Sequence, residues 1–333
     1  MNVKPIIAIA MGDPAGIGPE LIVKVLADEG LHDRCRPFVI GDLQVLRDTA
    51  ASLGSALRFQ AADDSSAAQF APPCIEVLNP PGFTLGALPP PAVHPKLGEA
   101  AGRYLQQAYQ LAMQGFADGV VMAPMNKESF RAAGYDYFDE LQFLGEVTGS
   151  PEPFILGAAG SVWAVSVTEH IPFKDIVSFI TRDRVRRYIQ HLHDVLDKLG
   201  YSESRIAVAA LNPHGGEGGL FGREEIDVIG PAIQDAIRDD IRAEGPVPAD
   251  IVFKRALDGD FDGVVCMYHD QMNIARKLQG RGDIATLWMG LPVIGATTAH
   301  GTAFDIAGQG IADPGSLRAA LNYVIELAEP QGL

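Results

Sequence analysis

The chain has 333 residues, which is too long for one hydrophobic core. Of these residues 47% are hydrophobic and 20% are charged, a composition typical of a soluble globular protein. The formal net charge of −16 argues against nucleic acid or an anionic membrane as a partner. The three cysteines have neither metal-motif nor disulfide spacing, and no apolar run approaches the roughly 20 residues that a membrane span needs. These features predict a cytoplasmic protein without a membrane partner.

In chain order, apolar runs with strand character alternate with helical patterns, which predicts an α/β fold. The predicted strands cover residues 6–10, 37–41, 119–123, 154–156, 161–168, 176–180, 205–210 and 263–267. The predicted helices cover residues 19–26, 44–53, 98–117, 181–199, 224–238, 251–257 and 316–329. Residues 72–92 are rich in proline and glycine, and we expect irregular surface there. Cys266, Trp163 and Trp288 are expected in the core.

Polar side chains stand at the ends of four predicted strands: Asp13, Asn126–Lys127, His214 and His269–Asp270. In α/β proteins ligand groups lie just beyond the carboxyl ends of strands. His214 and His269 together suit a divalent metal, although a single histidine at a turn is more often structural. Asp13 is either a ligand or a helix cap. His170 also follows a predicted strand and could reach a cleft.

The segment from His300 to Gly310 combines His300 and Asp305 with glycines at 301, 308 and 310. Glycine lets the backbone approach a ligand closely, so this segment is typical of a nucleotide-binding loop.

Six separated motifs resemble the 4-hydroxythreonine-4-phosphate dehydrogenase family of pyridoxal phosphate biosynthesis. They are MGDPAGIGPE (11–20), APMNKESF (123–130), ALNPHGGEGGLFGREE (210–225), GPVPAD (245–250), YHDQ (268–271) and HGTAFDIAGQGIAD (300–313). The last motif is also similar to the nucleotide loop of isopropylmalate dehydrogenases.

The resemblance implies a two-lobed fold like that of the isocitrate and isopropylmalate dehydrogenases, with the active site in the cleft between the lobes. The first lobe would comprise residues 1–130 and 285–333, and the second residues 131–284. The family oxidises a secondary alcohol with NAD or NADP, and the resulting β-keto acid loses CO2. A divalent metal (Zn, Mg, Mn or Co) assists both steps. The resemblance also implies a homodimer with shared active sites.

The resemblance further implies roles for individual residues. Catalytic roles fall on Asp250, Asp270 and Lys277; substrate contacts on Asn126, Lys127, Lys277 and Thr286; cofactor contacts on His300, Gly301, Thr302 and Asp305; and metal binding on His214, His269 and Glu140. A carboxylate at Asp305 favours the free ribose 2′-hydroxyl of NAD over the 2′-phosphate of NADP.

The chain departs from the family pattern at four positions. Glu140 stands where a histidine is expected, Thr286 replaces an asparagine, Gly295 an arginine and Ala299 an aspartate. Loss of an arginine fork removes bidentate phosphate recognition, so 4-hydroxythreonine 4-phosphate is expected to be a poor substrate.

The departures are similar to those of the dihydrodiol dehydrogenases of terephthalate breakdown, and a non-phosphorylated dihydrodiol carboxylate is therefore an alternative substrate. A metal-dependent hydrolase and an inactive ligand-binding relative are the alternatives from other functional classes.

Overall fold

The computed structural model describes residues 4–62, 68–159, 161–279 and 284–328. Contacts divide the chain into two compact units, Met1–Phe154 with Ala285–Leu333, and Ile155–Ile284. Residues 131–154, which the sequence analysis assigned to the second lobe, group with the first unit. The reason is an aromatic cluster in which Tyr135 and Phe143 pack against Phe130, with ring centroids 4.2 and 5.4 Å away.

The first unit is an α/β layer structure whose mixed sheet has the strand order β3-β4-β2-β1-β5-β12-β11. Its strands are β1 (Ile6–Ala10), β2 (Arg36–Ile40), β3 (Arg58–Ala61), β4 (Cys74–Leu78), β5 (Gly119–Met122), β11 (Ile284–Met289) and β12 (Gly295–Thr298). Its helices are α1 (Gly18–Leu26), α2 (Glu29–Arg34), α3 (Leu43–Ser52), α4 (Pro95–Met113), α5 (Lys127–Ala132), α6 (Glu140–Thr148) and α12 (Gly315–Ala328). Among the described strands of this unit, β11 and β12 pair antiparallel and the other neighbours pair in parallel. The central strands are buried on both faces, as parallel strands covered by helices require.

The second unit has the strand order β6-β7-β10-β8-β9. Its strands are β6 (Phe154–Ala159), β7 (Val162–Thr168), β8 (Ile206–Ala209), β9 (Ala243–Val247) and β10 (Gly263–Tyr268). Its helices are α7 (Ile176–Phe179), α8 (Arg182–Lys198), α9 (Gly230–Arg238), α10 (Ala249–Leu257) and α11 (His269–Gln279). Short strand side chains such as Ala164, Ala207 and Val264 form its core with α10 and α11. Cys266, Trp163 and Trp288 are buried, as predicted.

Two predictions of local structure were wrong, and several elements were not predicted. Residues 176–180 were predicted as a strand but begin helix α7, which continues a 3-10 turn at Phe173–Asp175. The β-branched residues there misled the prediction. Ile176 and Ile180 are buried four residues apart, whereas Val177 and Phe179 between them are exposed, which is the burial pattern of a helix and not of a strand. The stretch 72–92 was predicted to be irregular but contains β4, which pairs with both β2 and β3. Strands β3, β9, β11 and β12 and helices α2, α5, α6 and α11 were not predicted. Across the described ranges, no helix has the length and apolar character of a membrane span.

Candidate active site

In the second unit, polar side chains follow neighbouring parallel strands at the point where each strand ends. β7 and β8 both pair in parallel with β10, so their carboxyl ends share one edge of the sheet. Thr168 stands opposite Tyr268, and its Oγ1 donates a hydrogen bond of 2.8 Å to the carbonyl oxygen of Met267. The residues that follow β7 and β10 are therefore held close together.

Glu169, His170 and His269 form a cluster at this edge. Each offers one ligand atom, and these atoms lie within 4.8 Å of one another. His269 Nδ1 lies 2.7 Å from Asp270 Oδ1. When Nδ1 donates its proton to that carboxylate, Nε2 keeps a lone pair for a cation. Two imidazoles and one carboxylate are a donor set found in catalytic zinc sites, so the cluster fits a divalent metal.

His214 lies on an unusual turn after β8. Residues 214–218 all have left-handed φ values between 46° and 78°, although His214 and Glu217 are not glycines. The buried carboxylate of Glu225 holds the start of this turn, since its Oε1 accepts hydrogen bonds of 2.9 and 2.7 Å from the backbone nitrogens of residues 211 and 212. Strained backbone of this kind is enriched at functional sites.

The structure groups His269 with Glu169 and His170 rather than with the other two predicted metal ligands. Within the described ranges, no group of three or more metal-binding side chains includes His214 or Glu140. His214 Nδ1 lies 3.2 Å from Glu217 Oε1. Glu140 belongs to the first unit, and its Oε2 is 3.6 Å from Lys127 Nζ, so a cation there would compete with the lysine. The metal roles of His214 and Glu140 remain predictions.

In the first unit, β1, β5 and β12 run parallel and end at one edge of the sheet. Asn126 follows β5, and its Oδ1 accepts a hydrogen bond of 2.7 Å from the backbone nitrogen of Ser129. Asn126 is thus the N-cap of α5, and this fixes where Lys127 starts the helix. Their predicted substrate contacts are consistent with this position and remain predictions.

Asp13 follows β1 and is fully buried. Its Oδ1 accepts a hydrogen bond of 2.9 Å from the backbone nitrogen of Ala15, whereas Oδ2 has no hydrogen-bond partner in the described part of the chain. Burial raises the pKa of this carboxyl from 3.8 to about 6, although backbone hydrogen bonds from Ala15 and Gly16 act in the opposite direction. Asp13 is not a helix cap, because Ile17 is the N-cap residue of α1.

Residues 300–312, which we call the 300–312 loop, follow β12. Thr302 is buried, and its carbonyl oxygen accepts a hydrogen bond of 3.0 Å from the backbone nitrogen of Ile17. His300 and Asp305 are exposed, so both are accessible to a cofactor. Gly301 lies beside His300 and would meet nothing within 4 Å if it carried a Cβ.

The remaining predicted site residues lie on two helices and a strand. Asp250 lies in the first turn of α10 and Asp270 in the first turn of α11, and Lys277 lies about two turns further along α11. All three are exposed, as a substrate contact requires. Thr286 is half-buried in β11. The roles of these residues stay predictions.

Comparison with known proteins identifies the family of this chain. The family described as "Pyridoxal phosphate biosynthetic protein PdxA" matches residues 33–324. A D-threonate 4-phosphate dehydrogenase of Cupriavidus necator is 40% identical over 329 residues, covering 97% of both chains. The chain belongs to the PdxA family.

Solved structures agree with this assignment. A 4-hydroxythreonine-4-phosphate dehydrogenase from Klebsiella pneumoniae matches with a TM-score of 0.86 and 34% identity, over 98% of this chain and 99% of that one. A terephthalate 1,2-cis-dihydrodiol dehydrogenase from Burkholderia xenovorans matches with a TM-score of 0.65 and 28% identity, over 97% and 98%. These PdxA relatives are named dehydrogenases, and this chain is a dehydrogenase, which implies a nicotinamide-type cofactor.

The structure gives a different explanation for Gly295, which stands where the family pattern has an arginine. A Cβ at this position would stand 2.0 Å from Tyr109 Oη and 2.8 Å from Trp288 Cε3. Both rings are almost completely buried. A side chain at 295 would therefore point into the core of the first unit, and the missing arginine is not evidence of a lost phosphate contact.

The sequence analysis missed Glu169 and gave His170 only a secondary place. Their signal was present, because Thr168, Glu169 and His170 end a predicted strand just as Tyr268, His269 and Asp270 do. Which strands neighbour each other was not evident from the sequence, and the pairing of β7 with β10 brings the two histidines together.

Proposed function

We propose that this PdxA-family enzyme oxidises a phosphorylated 3-hydroxy acid with NAD and then decarboxylates it, with D-threonate 4-phosphate as the leading candidate substrate. The proposal is supported by two features of a chain that is similar to named D-threonate 4-phosphate dehydrogenases. One is the cluster of potential metal ligands Glu169, His170 and His269, and the other is the exposed Asp305 of the 300–312 loop. The hydrolase and the inactive relative are not favoured, because the relatives are dehydrogenases.

The chemistry balances in two steps. The C3–H bond breaks as hydride passes to the nicotinamide, and the C3 hydroxyl gives its proton to a base, which leaves a β-keto acid. The bond from C2 to the carboxylate then breaks and releases CO2. The electron pair of that bond forms a double bond between C2 and C3, while the π pair of the carbonyl moves onto the ketone oxygen. The resulting enolate takes a proton at C2, which restores the ketone. A divalent cation supplies Lewis acidity towards the substrate oxygen in both steps.

The residues of this chain have separate tasks in that scheme. Glu169, His170 and His269 hold the cation, and His214, at the end of the neighbouring strand β8, is proposed to join them. Asp270 orients the imidazole of His269 through their 2.7 Å contact. Asp250 and Lys277, which are exposed, are proposed to move protons or pair with substrate charge. Such a pairing is needed because a chain of net charge −16 repels a substrate anion.

Asp305 is proposed to recognise the adenosine ribose. Its side chain is exposed, and its backbone carbonyl accepts a hydrogen bond of 2.8 Å from Gln309 Nε2, which ties the residue into the loop. A carboxylate accepts hydrogen bonds from ribose hydroxyls and repels a 2′-phosphate, so NAD is preferred. Thr302 holds the loop backbone, and His300 and Gly301 are proposed to lie near the adenine.

We propose that the chain forms a homodimer whose interface lies on the second unit. Most of the exposed large apolar side chains among the described residues belong to this unit, and Ile274 and Leu278 are 59% and 80% exposed. They lie four residues apart on one face of α11. An apolar face of this kind suits a second copy of the chain. Since α11 also carries His269 and Lys277, such an interface would adjoin the active site.

The test measures NADH and CO2 formation from D-threonate 4-phosphate, 4-hydroxythreonine 4-phosphate and unphosphorylated D-threonate, with and without added divalent cations. Cation-dependent NADH formation with matching CO2 release is expected for the phosphorylated acids, and 4-hydroxythreonine 4-phosphate is expected to be the poorer of the two. Comparable turnover of D-threonate without the phosphate would show that the substrate class is wrong.

The metal content of purified variants tests the proposed cation site, and one variant outside the site serves as the matched control. His170→Ala and His269→Ala are expected to lose bound cation and activity together. His191→Ala is expected to retain both, because His191 lies on helix α8 against Tyr188 and outside the cluster. Retention of cation by His170→Ala would remove that residue from the proposed site.

A further inference from the structure

Helix α1 and the two residues before it contact the 300–312 loop near both of the loop's ends. Near the beginning of the loop, the backbone nitrogen of Ile17 donates to the carbonyl oxygen of Thr302. A Cβ on Gly16 would stand only 2.9 Å from Thr302 Cβ, so the two backbones approach closely. Near the end of the loop, the contacts come from two charged side chains of α1, Glu20 and Lys24.

Glu20 is 3% exposed, and both of its carboxylate oxygens bind the loop. Oε1 accepts a hydrogen bond of 2.7 Å from the backbone nitrogen of Ala312, and Oε2 accepts one of 3.1 Å from that of Gly310. Hydrogen bonds to a buried carboxylate are charge-assisted and stronger than those between neutral groups. The backbone at residues 310–312 is therefore held by a side chain of another element.

Lys24 completes the same arrangement. Its Nζ lies 2.7 Å from Glu20 Oε1 and also donates to the carbonyl oxygens of Gly310 and Ala312, at 2.9 and 2.7 Å. The pair thus binds two backbone nitrogens and two carbonyl oxygens of the loop. The lysine also compensates the charge of the buried carboxylate.

Asp305 lies on the arc between these two anchored ends. Within the arc, the backbone nitrogen of Ile306 donates a hydrogen bond to the carbonyl oxygen of Ala303. The backbone nitrogen of Gln309 donates one to the carbonyl oxygen of Ile306, and both bonds are 3.1 Å long. Ala303 adopts a left-handed φ of 42°, which turns the chain sharply after Thr302. The arc is short and internally turned, so the positions of its two ends determine where the carboxylate of Asp305 stands.

We propose that Glu20 and Lys24 are positioning residues for NAD, acting through the backbone of Gly310 and Ala312 on Asp305. The pair fixes the loop before the cofactor arrives, so binding does not require ordering of the loop. This inference rests on the proposed function of Asp305 in cofactor binding. Neither residue contacts the reacting atoms, so the pair acts on cofactor affinity rather than on the chemical steps.

The test is Glu20→Gln, in which an NH2 group replaces one of the two acceptor oxygens. One backbone N–H of the loop then loses its acceptor. We expect the Kd for NAD, measured by isothermal titration calorimetry, and the KM for NAD to rise about tenfold. The kcat at saturating NAD should change by less than about twofold, because the interactions lost are not specific to the transition state.

Glu99→Gln is the matched control. Glu99 forms an ion pair of 2.8 Å with Arg103 at the same four-residue spacing, on helix α4 of the same unit, and both side chains are 41% exposed. This variant should bind NAD like the wild type. If Glu20→Gln does not fold, Lys24→Met takes its place. It removes the donor to the two carbonyl oxygens and should weaken NAD binding in the same direction.

Asp305→Ala distinguishes the possible failures. If Asp305→Ala weakens NAD binding but Glu20→Gln and Lys24→Met do not, the positioning role is overturned while the proposed cofactor site stands. If none of the three changes the Kd, the 300–312 loop does not bind NAD, and the proposed function of Asp305 fails together with the positioning role. An equal fall in kcat and kcat/KM for Glu20→Gln, with unchanged Kd, would also overturn it.

Discussion

Asp13→Asn is expected to change how the stability of the protein depends on pH. The folded-state pKa of Asp13, about 6, lies above the 3.8 of an unperturbed carboxyl because burial disfavours the charged form. Between these two values the folded state binds more protons than the unfolded state. Wild-type stability therefore decreases as the pH rises from about 4 through about 6, and the contribution levels off above that range.

The size of the effect follows from the same two values. A pKa displaced from 3.8 to about 6 corresponds to roughly 3 kcal/mol between the acid and neutral limits. Roughly half of that difference develops above about pH 5, where unfolding measurements are practical. The asparagine side chain keeps an oxygen that can accept the hydrogen bond from the backbone nitrogen of Ala15, but it cannot ionise. The free energy of unfolding of Asp13→Asn, relative to wild type, should therefore increase with pH across this window.

Denaturant unfolding of both proteins at a series of pH values checks this expectation. Asp48→Asn is the control, since Asp48 is an exposed carboxylate in the same unit and the substitution changes the charge equally. A difference between Asp13→Asn and wild type that does not vary from about pH 5 to about pH 7 would refute the reasoning. Burial would then not be what governs the ionisation of Asp13.

Three further predictions concern separate parts of the molecule. Asp305→Ala should narrow the preference for NAD over NADP, measured as the ratio of kcat/KM values, and an unchanged ratio would exclude Asp305 from ribose recognition. Gly295→Ala should lower stability by about 1–3 kcal/mol, because its Cβ would meet the buried Tyr109 hydroxyl at 2.0 Å; an unaltered Tm would contradict this. Leu278→Glu should shift a dimer towards monomer in sedimentation velocity, whereas Leu88→Glu in the first unit should not, and equal behaviour of both would argue against the proposed interface.

Much of the fold class could be inferred from local patterns. The alternation of buried strands and amphipathic helices is a property of successive residues, so β1, β5, β7 and β10 were found with bounds within a few residues. The motifs are equally local, and they are sufficient to indicate the family to which the chain belongs. The strand prediction for residues 176–180 failed because β-branched residues also occur in short exposed helices. In such a stretch the pattern of burial, and not residue propensity, distinguishes a helix from a strand.

The candidate site shows the limit of that reasoning. The sequence by itself placed Asp13, Asn126, His214 and His269 at the ends of strands, because strand ends are visible as local changes in hydrophobicity. Only the tertiary structure decided which strand ends are neighbours, because strand pairing joins segments about a hundred residues apart, as β7 and β10 are. That pairing brings His170 to His269.

The tertiary structure also decided the direction of side chains and the partners of charged groups. It turned position 295 towards Tyr109, where the family motif suggested a phosphate contact. It placed Glu20 and Lys24 against residues nearly three hundred positions later in the chain. Residue type and spacing determine what a side chain can do, but packing of distant segments determines which groups it meets, and no local pattern in the sequence contains that information.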